Sequence, residues 1–388
     1  MECAKGPSDT CRALVRKLEP LSSRKIIVLA TATIHNEALF VNGLFQNVYI
    51  LYKMFDAMGY APILLVNEKP TDLQKVPSIL RHVRMITAEE IVRQSIPVHL
   101  NIEIAMSIDP SLRKHLREGG TKTVKLYLGN ILNIDIETSI FYNSVHFAHH
   151  VYGELDEIWV SPHYKQHNEY AGIINQLGPA KIAPYVWDPC ILTLGGTRQF
   201  KWRPLTKGEP LTLVILEPNI SFQKCSLLPL LIADMFYRKT KREMKVLLGN
   251  SERLQSNPFF TRTILPTLEL YKDGRIVFSG RNTITSIMND YPSCIALAHQ
   301  WNNQYNYMTL EYVVSGFPVI HNAQDWSDAG YFYEGSSVEK GLLALERAIE
   351  FHSSSLEQYK AGAAALEWRH SPYNPEVHKA WKELIEDA

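Results

Sequence analysis

The sequence predicts an α/β protein built from two βα domains and a helical C-terminal tail. Its 388 residues exceed what one ordinary hydrophobic core organises, so two domains are expected. In each half, short apolar runs typical of buried parallel strands alternate with helical segments. Between 189 and 210 this alternation stops, and from Val338 onward every segment is predicted to be helical.

The first half begins with a strand, a loop, a helix and a second strand. After a polar, peripheral segment over 1–23, an apolar run over 26–33 predicts the first strand. A helix is predicted over 44–58, ended by Gly59, and a strand over 61–66. This is the first βαβ unit of a Rossmann-like domain, although the glycine pattern GxGxxG of dinucleotide-binding proteins is absent.

The rest of the first half continues this alternation. Asp109 and Pro110 suit the N-cap and first turn of a helix, which Gly119 ends. The other predicted elements are strands at 83–86, 99–106, 123–128, 156–160 and 181–187, and a helix over 138–150. We therefore expect an N-terminal domain over 24–188 and a linker over 189–210.

The second half repeats the architecture without a detectable sequence repeat. Its predicted strands are 211–216, 245–249, 275–280, 294–298 and 319–320. One predicted helix ends near Arg238, and three others cover 258–270, 283–289 and 308–315. Gly316 suits a left-handed residue after the last of these helices, and Pro318 cannot continue it. A C-terminal domain over 211–370 and a final helix over 371–388 follow.

Composition excludes several classes of protein. With 40 basic and 40 acidic residues, no net charge favours nucleic acid or an anionic membrane. The five cysteines form no CxxC pair, so neither a zinc site nor a disulfide framework is indicated. No segment resembles a signal peptide or a membrane span, and no cluster has metal-ligand spacing. We expect a soluble, cytoplasmic protein.

Two charged residues in the second half are candidate ligands of a nucleotide. Glu311 lies one turn into the helix that follows a polar, aromatic loop, where a carboxylate can accept hydrogen bonds from the two hydroxyls of a ribose. Lys224 is predicted near a helix N-terminus, where a cation opposes the helix dipole unless an anion such as pyrophosphate is bound. Alternatively, Glu311 belongs to an ordinary βαβ crossover whose polar loop is simply solvated, and Lys224 is a solvated side chain.

Further polar residues follow predicted strands of the second half. Glu217 and Asn219 open the segment that leads to Lys224, and Asn219 or Ser221 can cap its helix. The other residues of this kind are Asn250, Arg281 with Asn282, His299, and His321 with Asn322. Each of these residues is a candidate for the lining of a nucleotide pocket. A solvated or packed side chain without a ligand would explain each of them about equally well.

The first half offers a polar loop and a candidate base. The loop contains Asn42, Gly43, Gln46 and Asn47, whose amides suit hydroxyls or phosphate, although Asn-Gly is also a common plain turn. His149 and His150 are candidate general bases because imidazole titrates near neutral pH. Packed histidines explain them equally well, and the rival bases Asp135 and Glu137 have weaker support.

Several motifs together resemble one family. They are Asn42-Gly43-x-x-Gln46-Asn47, Asp156-Glu-Ile-Trp-Val160, Trp187-Asp188-Pro189, Glu217-Pro-Asn-Ile-Ser-Phe-Gln-Lys224, His299-Gln-Trp301, Asn306-Tyr307, Glu311 before Ser315-Gly-Phe-Pro-Val319, His321-Asn322 and Gly330-Tyr-Phe-Tyr333. Over nearly the whole chain, the sequence resembles an uncharacterised family of GT-B-like proteins from bacteria and large viruses. That family is similar to the retaining glycosyltransferases of the glycogen-synthase and sucrose-synthase type.

The resemblance implies a GT-B fold, in which two Rossmann-like domains face each other across a cleft and the last helix packs back on the first domain. It implies a nucleotide-sugar donor in the C-terminal domain, an acceptor in the N-terminal one, and no required metal or other cofactor. Lys224 and Glu311 match the pyrophosphate and ribose ligands, whereas His299, Asn306 and Tyr307 match without assigned roles. Asn303 stands eight positions before Glu311, where the retaining enzymes usually carry a second glutamate, so the stereochemical outcome does not transfer.

The leading functional prediction is a metal-independent glycosyltransferase that takes a sugar from a nucleotide-diphosphate sugar to a glycan or other hydroxyl acceptor. Two alternatives use the same architecture. A nucleotide-sugar 2-epimerase would convert the donor without an acceptor, and a non-catalytic sugar or nucleotide sensor would bind without turnover. The acceptor is expected to be a carbohydrate, and no nucleic acid partner is expected.

Overall fold

A computed structural model describes residues 24–34, 43–104, 106–141, 150, 155–193 and 200–386. Contacts between residues divide the chain into two compact units. The first comprises Met1–Leu132, Ser144–Trp187 and Pro372–Ala388, and the second comprises Asn133–Asn143 and Asp188–Ser371. The predicted domain limits had placed all of 24–188 in the first domain, so they differ at Asn133–Asn143 and at Asp188.

The described residues of the first unit form a seven-stranded parallel sheet in the order β3-β2-β1-β4-β5-β6-β7. Its strands are β1 (Ile26–Ala30), β2 (Ala61–Leu65), β3 (Met85–Ile86), β4 (Val98–Glu103), β5 (Lys122–Tyr127), β6 (Glu157–Val160) and β7 (Lys181–Ile182). β1 pairs with both β2 and β4, so this central strand is apolar throughout and fully buried. The short β7 is a correction, since the prediction had extended that strand to Trp187.

Helices connect these strands. They are α1 (Gly43–Ala57), α2 (Ala88–Gln94), α3 (Pro110–Glu118), α4 (Ile131–Phe141) and α5 (Asn168–Ile173), with short 3₁₀ turns at Leu73–Lys75, Ser78–Leu80 and Pro162–His167. The predicted N-cap of α3 is confirmed, because the Asp109 carboxylate accepts the Ser111 N–H and Pro110 is the first helical residue. The predicted start of α4 at residue 138 is wrong, since the helix begins seven residues earlier at Ile131.

The described residues of the second unit form a six-stranded parallel sheet in the order β10-β9-β8-β11-β12-β13. The strands are β8 (Leu211–Ile215), β9 (Met244–Leu248), β10 (Ile276–Phe278), β11 (Ile295–Leu297), β12 (Val319–His321) and β13 (Tyr331–Phe332). The two-residue β13 was not predicted. One buried core cluster unites apolar side chains of β8, β9, β11 and the helices beside them.

The helices of the second unit are α6 (Leu227–Thr240), α7 (Glu252–Gln255), α8 (Glu269–Lys272), α9 (Ile284–Asp290), α10 (Tyr307–Val314), α11 (Val338–Phe351) and α12 (Leu356–Arg369), and 3₁₀ turns cover Pro189–Thr193, Leu265–Thr267 and Gln324–Trp326. The single helix predicted over 258–270 is wrong. A π-helical turn at Phe260–Ile264 and a 3₁₀ turn containing Pro266 replace it, because proline lacks the N–H that a continuing α-helix needs.

The last described helix, α13 (Pro375–Glu386), belongs to the first unit. Its Trp381 is almost fully buried, with ring centroids 5.4 Å from Phe55 and 5.9 Å from Trp159. The C-terminal helix therefore completes the core of the unit that begins the chain. Among the described residues, no helix is long and apolar enough to cross a membrane.

Candidate nucleotide-sugar site

The strand order of the second sheet marks where a ligand is expected. Numbered from β8, the order reads 3-2-1-4-5-6, and the direction of winding reverses between β8 and β11. Open parallel sheets bind ligands beyond the carboxyl ends of the strands at such a reversal. The loops that leave these two strands are bonded together, because Trp301 donates its backbone N–H to the carbonyl of Gln223 over 3.0 Å.

Glu217 follows β8 and is completely buried. Its carboxyl group accepts the backbone N–H of His299 over 3.3 Å and the side-chain amide N–H of Gln300. Burial raises the pKa of this carboxyl to about 8, against the opposing effects of those hydrogen bonds and of nearby Lys224. The structure thus places Glu217 beneath the loop after β11, in contact with protein groups.

Lys224 lies two residues before Ser226, the residue that precedes α6. Its backbone closes a tight turn, because the Lys224 N–H donates to Ser221 and its carbonyl accepts from Asn219. Its ammonium group forms no ion pair or hydrogen bond with any residue that the structure describes. Burial lowers the pKa of Lys224, and the attraction of Glu217 opposes that shift. A sheltered cation without a bonded partner is suited to an anionic ligand.

Asn219 or Ser221 was predicted to cap this helix, and both assignments are wrong because the N-cap is Ser226. Asn219 nevertheless contributes at the helix start, where its side-chain oxygen accepts the Ser226 N–H over 2.9 Å. Its side-chain nitrogen donates to the carbonyls of Glu217 and Asn250, at 3.0 and 3.2 Å. Asn219 adopts a left-handed backbone conformation, with φ of 52°. The structure gives it a role in holding the loop together.

Asn250 ties the same region to the end of β9. It is also left-handed, with φ of 49°, and its side chain donates to the carbonyl of Leu216 over 2.8 Å. Arg281 is exposed after β10, and its neighbour Asn282 bonds to Ser279 and Gly280. Direct contacts of Asn219, Asn250 and Arg281 with a nucleotide remain predictions.

Glu311 lies in α10 on the other side of the reversal point and is 6% exposed. Its carboxyl group has no hydrogen bond or ion pair with the residues that the structure describes. Burial raises its pKa to about 8. A largely buried carboxyl without a protein partner among these residues points to an external hydrogen-bond donor.

Asn306 is the N-cap of α10, and its side-chain oxygen accepts the Met308 N–H over 2.9 Å. Tyr307 is the first residue of the helix and is partly buried. The helix ends as predicted, because Gly316 has φ of 79°. Asn306 therefore orients the helix that carries Glu311.

His299 is buried directly after β11. Its Nδ1 lies 2.7 Å from the hydroxyl of Tyr333 and its Nε2 lies 3.4 Å from that of Ser336. Burial lowers the pKa of His299 to about 4, so its imidazole is neutral at neutral pH. A neutral, bonded imidazole positions the loop and is poorly suited to attract phosphate.

His321 is also buried, and its ring stacks on Trp326 with centroids 3.7 Å apart. Its Nε2 lies 2.8 Å from the carbonyl of Ala329. The expectation that His321 lines a pocket is not supported by these contacts. Asn322 instead bonds twice to the backbone of Gln300, at 2.9 Å in each case.

Gln300 was not singled out from the sequence, yet it connects the site. Its side-chain nitrogen donates to Glu217, and its side-chain oxygen accepts from Asn303 over 2.7 Å. The only signal in the sequence was its place in the polar loop beside His299 and Trp301, which does not distinguish it from its neighbours.

The structure describes only some of the candidate site residues of the first half. Gly43 begins α1, the Asn47 side chain donates to the Gly43 carbonyl over 3.3 Å, and Gln46 is buried. Asn42 and His149 lie outside the described residues. His150 is described, with its ring 6.5 Å from that of Tyr127.

Of the rival bases, Glu137 has a partner in the second unit, to which this part of α4 belongs. Its carboxylate accepts the backbone N–H of Phe222 over 2.9 Å. Asp135 lies on the same helix. Within the described ranges, no group of three or more His, Cys, Asp or Glu side chains is placed to hold a metal ion. Independence of metal remains a prediction.

The chain matches a known family along nearly its whole length. A family model described as a protein of unknown function, DUF2827, matches residues 27–385. The chain belongs to the DUF2827 family. A search of curated proteins returned no match.

Solved structures resemble this DUF2827 protein over almost its full length. Sucrose-phosphate synthase from Thermosynechococcus elongatus has a TM-score of 0.54 and 12% identity, covering 94% of this chain and 100% of its own. HepE from Anabaena, in complex with UDP-glucose, has a TM-score of 0.55 and 10% identity with the same coverage. The E. coli trehalose-6-phosphate structure with bound UDP-2-fluoro glucose has a TM-score of 0.57 and 8% identity, covering 94% and 99%.

At such low identity the likeness shows the fold alone. The DUF2827 chain has the GT-B glycosyltransferase fold, with two Rossmann-like α/β domains and C-terminal helices. This part of the predicted fold class is confirmed.

Proposed function

We propose that the protein is a glycosyltransferase that moves a sugar from a nucleotide-diphosphate sugar to a hydroxyl group of a carbohydrate acceptor without a metal ion. One observation carries the proposal: Lys224 and Glu311 are a basic and an acidic side chain, largely sheltered from solvent, that have no hydrogen-bond or ion-pair partner among the described residues. They flank the two loops that meet at the reversal point of a GT-B sheet.

Lys224 is proposed to bind the diphosphate. Negative charge develops on the leaving diphosphate as the sugar departs, and a fixed cation in a sheltered site stabilises it. Burial raises the pKa of the neighbouring Glu217 carboxyl to about 8, which weakens its attraction for the lysine near neutral pH.

Glu311 is proposed to bind the ribose. Its carboxyl group can hydrogen-bond to both vicinal hydroxyls, and these bonds would supply the partners that the group lacks. Structures of similar fold carry UDP-glucose and UDP-2-fluoro glucose, which supports a nucleotide-sugar donor here. Asn250 and Arg281 are proposed to lie near the base.

The acceptor is proposed to bind to the first unit, near Gly43, Gln46 and Asn47 at the start of α1. His150, with His149 as the neighbouring alternative, would take the proton of the acceptor hydroxyl if the reaction inverts the sugar. Asn303 stands where the retaining enzymes that the sequence resembles usually carry a glutamate, so the stereochemical outcome is a separate measurement.

A panel of UDP- and GDP-sugars, tested by thermal shift, measures donor binding because a ligand held only by the folded state raises the melting temperature. Lys224→Ala and Glu311→Ala should each weaken the affinity by about 10- to 100-fold, the loss typical of a charged hydrogen bond. Lys239→Ala is the matched control, since that exposed lysine pairs with Glu346 on the surface.

Unchanged donor affinity in both site variants, with folding intact, would rule out this site. Product analysis then identifies the reaction. A transferase yields a glycosylated acceptor, a 2-epimerase converts the donor alone, and a sensor leaves both unchanged.

A further inference from the structure

Two aromatic side chains are exposed on the loops that meet at the reversal point of the second sheet. Phe222 follows β8 and is 48% exposed, and Trp301 follows β11 and is 43% exposed. The Trp301 backbone N–H donates to the carbonyl of Gln223, the neighbour of Phe222, over 3.0 Å. The two loops therefore carry their exposed rings on joined backbone, where a parallel sheet of this order binds its ligand.

The loops that carry these rings are held by hydrogen bonds and ring contacts. Phe222 donates its backbone N–H to Glu137 over 2.9 Å. The indole of Trp301 packs edge-on against the imidazole of His299, with ring centroids 5.2 Å apart, and the hydroxyl of Tyr333 lies 2.7 Å from that imidazole. A ligand that stacks on the rings therefore has little loop backbone to order, which lowers the cost of binding.

The polar groups around the rings indicate which ligand suits them. Lys224 lies two residues after Phe222, in the tight turn that its N–H closes with the Ser221 carbonyl. Asn302, which follows Trp301, is exposed. A sugar ring has an apolar face of C–H groups and a rim of hydroxyls, so it can stack on an aromatic side chain while polar side chains bind its rim.

We propose that Trp301 and Phe222 form a stacking platform for the transferred sugar of the donor. The inference rests on the proposed function, in which Lys224 binds the diphosphate and Glu311 binds the ribose. The diphosphate of a nucleotide-sugar carries two groups, the ribose and the sugar. Because the ribose is assigned to Glu311, the group beside the turn of Lys224 is the sugar. The exposure of both rings leaves the stacked sugar open to an acceptor.

The first experiment measures what the sugar contributes to donor affinity. Calorimetry compares UDP-glucose with UDP, and GDP-mannose with GDP, in the wild type, W301A and F222A. In each variant, the Kd of the nucleoside diphosphate divided by that of the nucleotide-sugar should fall by about three- to tenfold. The affinity for the nucleoside diphosphate itself should change by at most about twofold. Trp301→Phe keeps an aromatic ring and should keep most of the ratio, whereas Trp301→Leu should not.

Trp368→Ala and Phe259→Ala are the matched controls, because these side chains are 55% and 66% exposed outside the two loops. Both should leave every affinity unchanged. Equal losses for the nucleoside diphosphate and the nucleotide-sugar in W301A would place the indole against the nucleobase and overturn the proposal. Ratios that stay at the wild-type value in both W301A and F222A would also overturn it.

The second experiment observes the stacking by saturation-transfer NMR with UDP-glucose. Saturation of the aromatic protons of the wild-type protein should reach the ring protons of the bound glucose. In W301A and F222A this transfer should fall relative to the transfer to the ribose protons, a change that a general loss of affinity does not produce. An equal fall for glucose and ribose protons would contradict the platform.

A wild type that bound neither nucleoside diphosphate and no UDP- or GDP-sugar would remove the proposed function, and this inference with it. Nucleotide binding that neither aromatic substitution alters would overturn the inference alone. The two failures are therefore distinguishable.

Discussion

The two sheets share one winding order, but Glu103 of the first unit and Glu311 and Lys224 of the second differ in whether they have a charged partner. In the first unit, Glu103 at the end of β4 is fully buried and accepts two bonds from Arg113, at 2.6 and 3.2 Å. Lys125 of β5 lies 3.9 Å from the same carboxylate. In the second unit, Glu311 and Lys224 have no such partner among the described residues.

This difference distinguishes charges whose partners lie within the protein from charges that a ligand would complete. A carboxylate held by a forked guanidinium has its desolvation offset within the protein, so its removal acts on stability. A charge without a partner costs stability, and its retention indicates a ligand that completes it. The comparison therefore predicts which substitutions affect folding and which affect binding.

The largest expected effect is that of Arg113→Ala, which leaves Glu103 buried without its guanidinium partner. The free energy of unfolding of the first unit should fall by about 3–5 kcal/mol, the range for breaking a buried ion pair. Denaturant unfolding followed by tryptophan fluorescence measures it. Arg117→Ala is the control, because half-exposed Arg117 lies 3.5 Å from Asp156 and should cost at most about 1 kcal/mol. Equal losses in the two variants would contradict the comparison.

Glu311→Gln should change the pH dependence of stability. The folded-state pKa of Glu311, about 8, lies above its ordinary value of 4.5, so the folded protein keeps a proton that the unfolded chain releases. Stability should therefore fall as pH rises from about 4.5 to about 8 and level off above. The variant should lose that slope, a gain on the order of a few kcal/mol at pH 8.

Thermal unfolding between pH 5 and pH 9 measures this effect. Glu217 has a raised pKa for the same reason, so part of the slope should persist in Glu311→Gln. Glu357→Gln, at an exposed carboxylate of α12, is the control and should follow the wild type. Parallel curves for wild type and Glu311→Gln would contradict the assignment of an unpaired buried carboxyl.

The smallest expected effects on stability are those of removing two helix caps. Thr87 caps α2 in the first unit with a reciprocal bond to Glu90, and Asn306 caps α10 in the second. Each alanine variant should lose about 1 kcal/mol of stability by denaturant unfolding. Asn306→Ala should also weaken donor binding, because its helix carries Glu311, whereas Thr87→Ala should not. Equal donor affinity in both variants would show that the cap does not position Glu311.

Local features of this fold could be predicted from sequence because neighbouring residues determine them. Asp109 with Pro110 and the glycine stop at Gly316 are examples, and the alternation of apolar runs indicated both parallel sheets. The local sequence pattern did not predict the structure of short segments in which helix, turn and strand compete over a few residues. Pro266 broke a predicted helix into short turns, and the pairing of Tyr331–Phe332 as a strand depends on β12 beside it.

The site was predictable only in part. Lys224 and Glu311 stood out because their charges lie at helix starts after strands. The Glu217–Gln300–Asn303 chain could not be found in this way, because it joins residues 83 positions apart through side-chain directions that only the folded sheet determines. The same holds for Glu103 and Arg113, which are indistinguishable in sequence from solvated charges on a strand and a helix.

The burial of Trp381 has a consequence for how the protein is made. The ring fills the space beside Phe55 and Trp159, yet it is translated more than two hundred residues after both. Until Trp381 is translated, the core of the nascent first domain lacks this side chain. During that time the second domain can be synthesised and can collapse. Chaperones that recognise exposed apolar surface would meet the first domain throughout that interval.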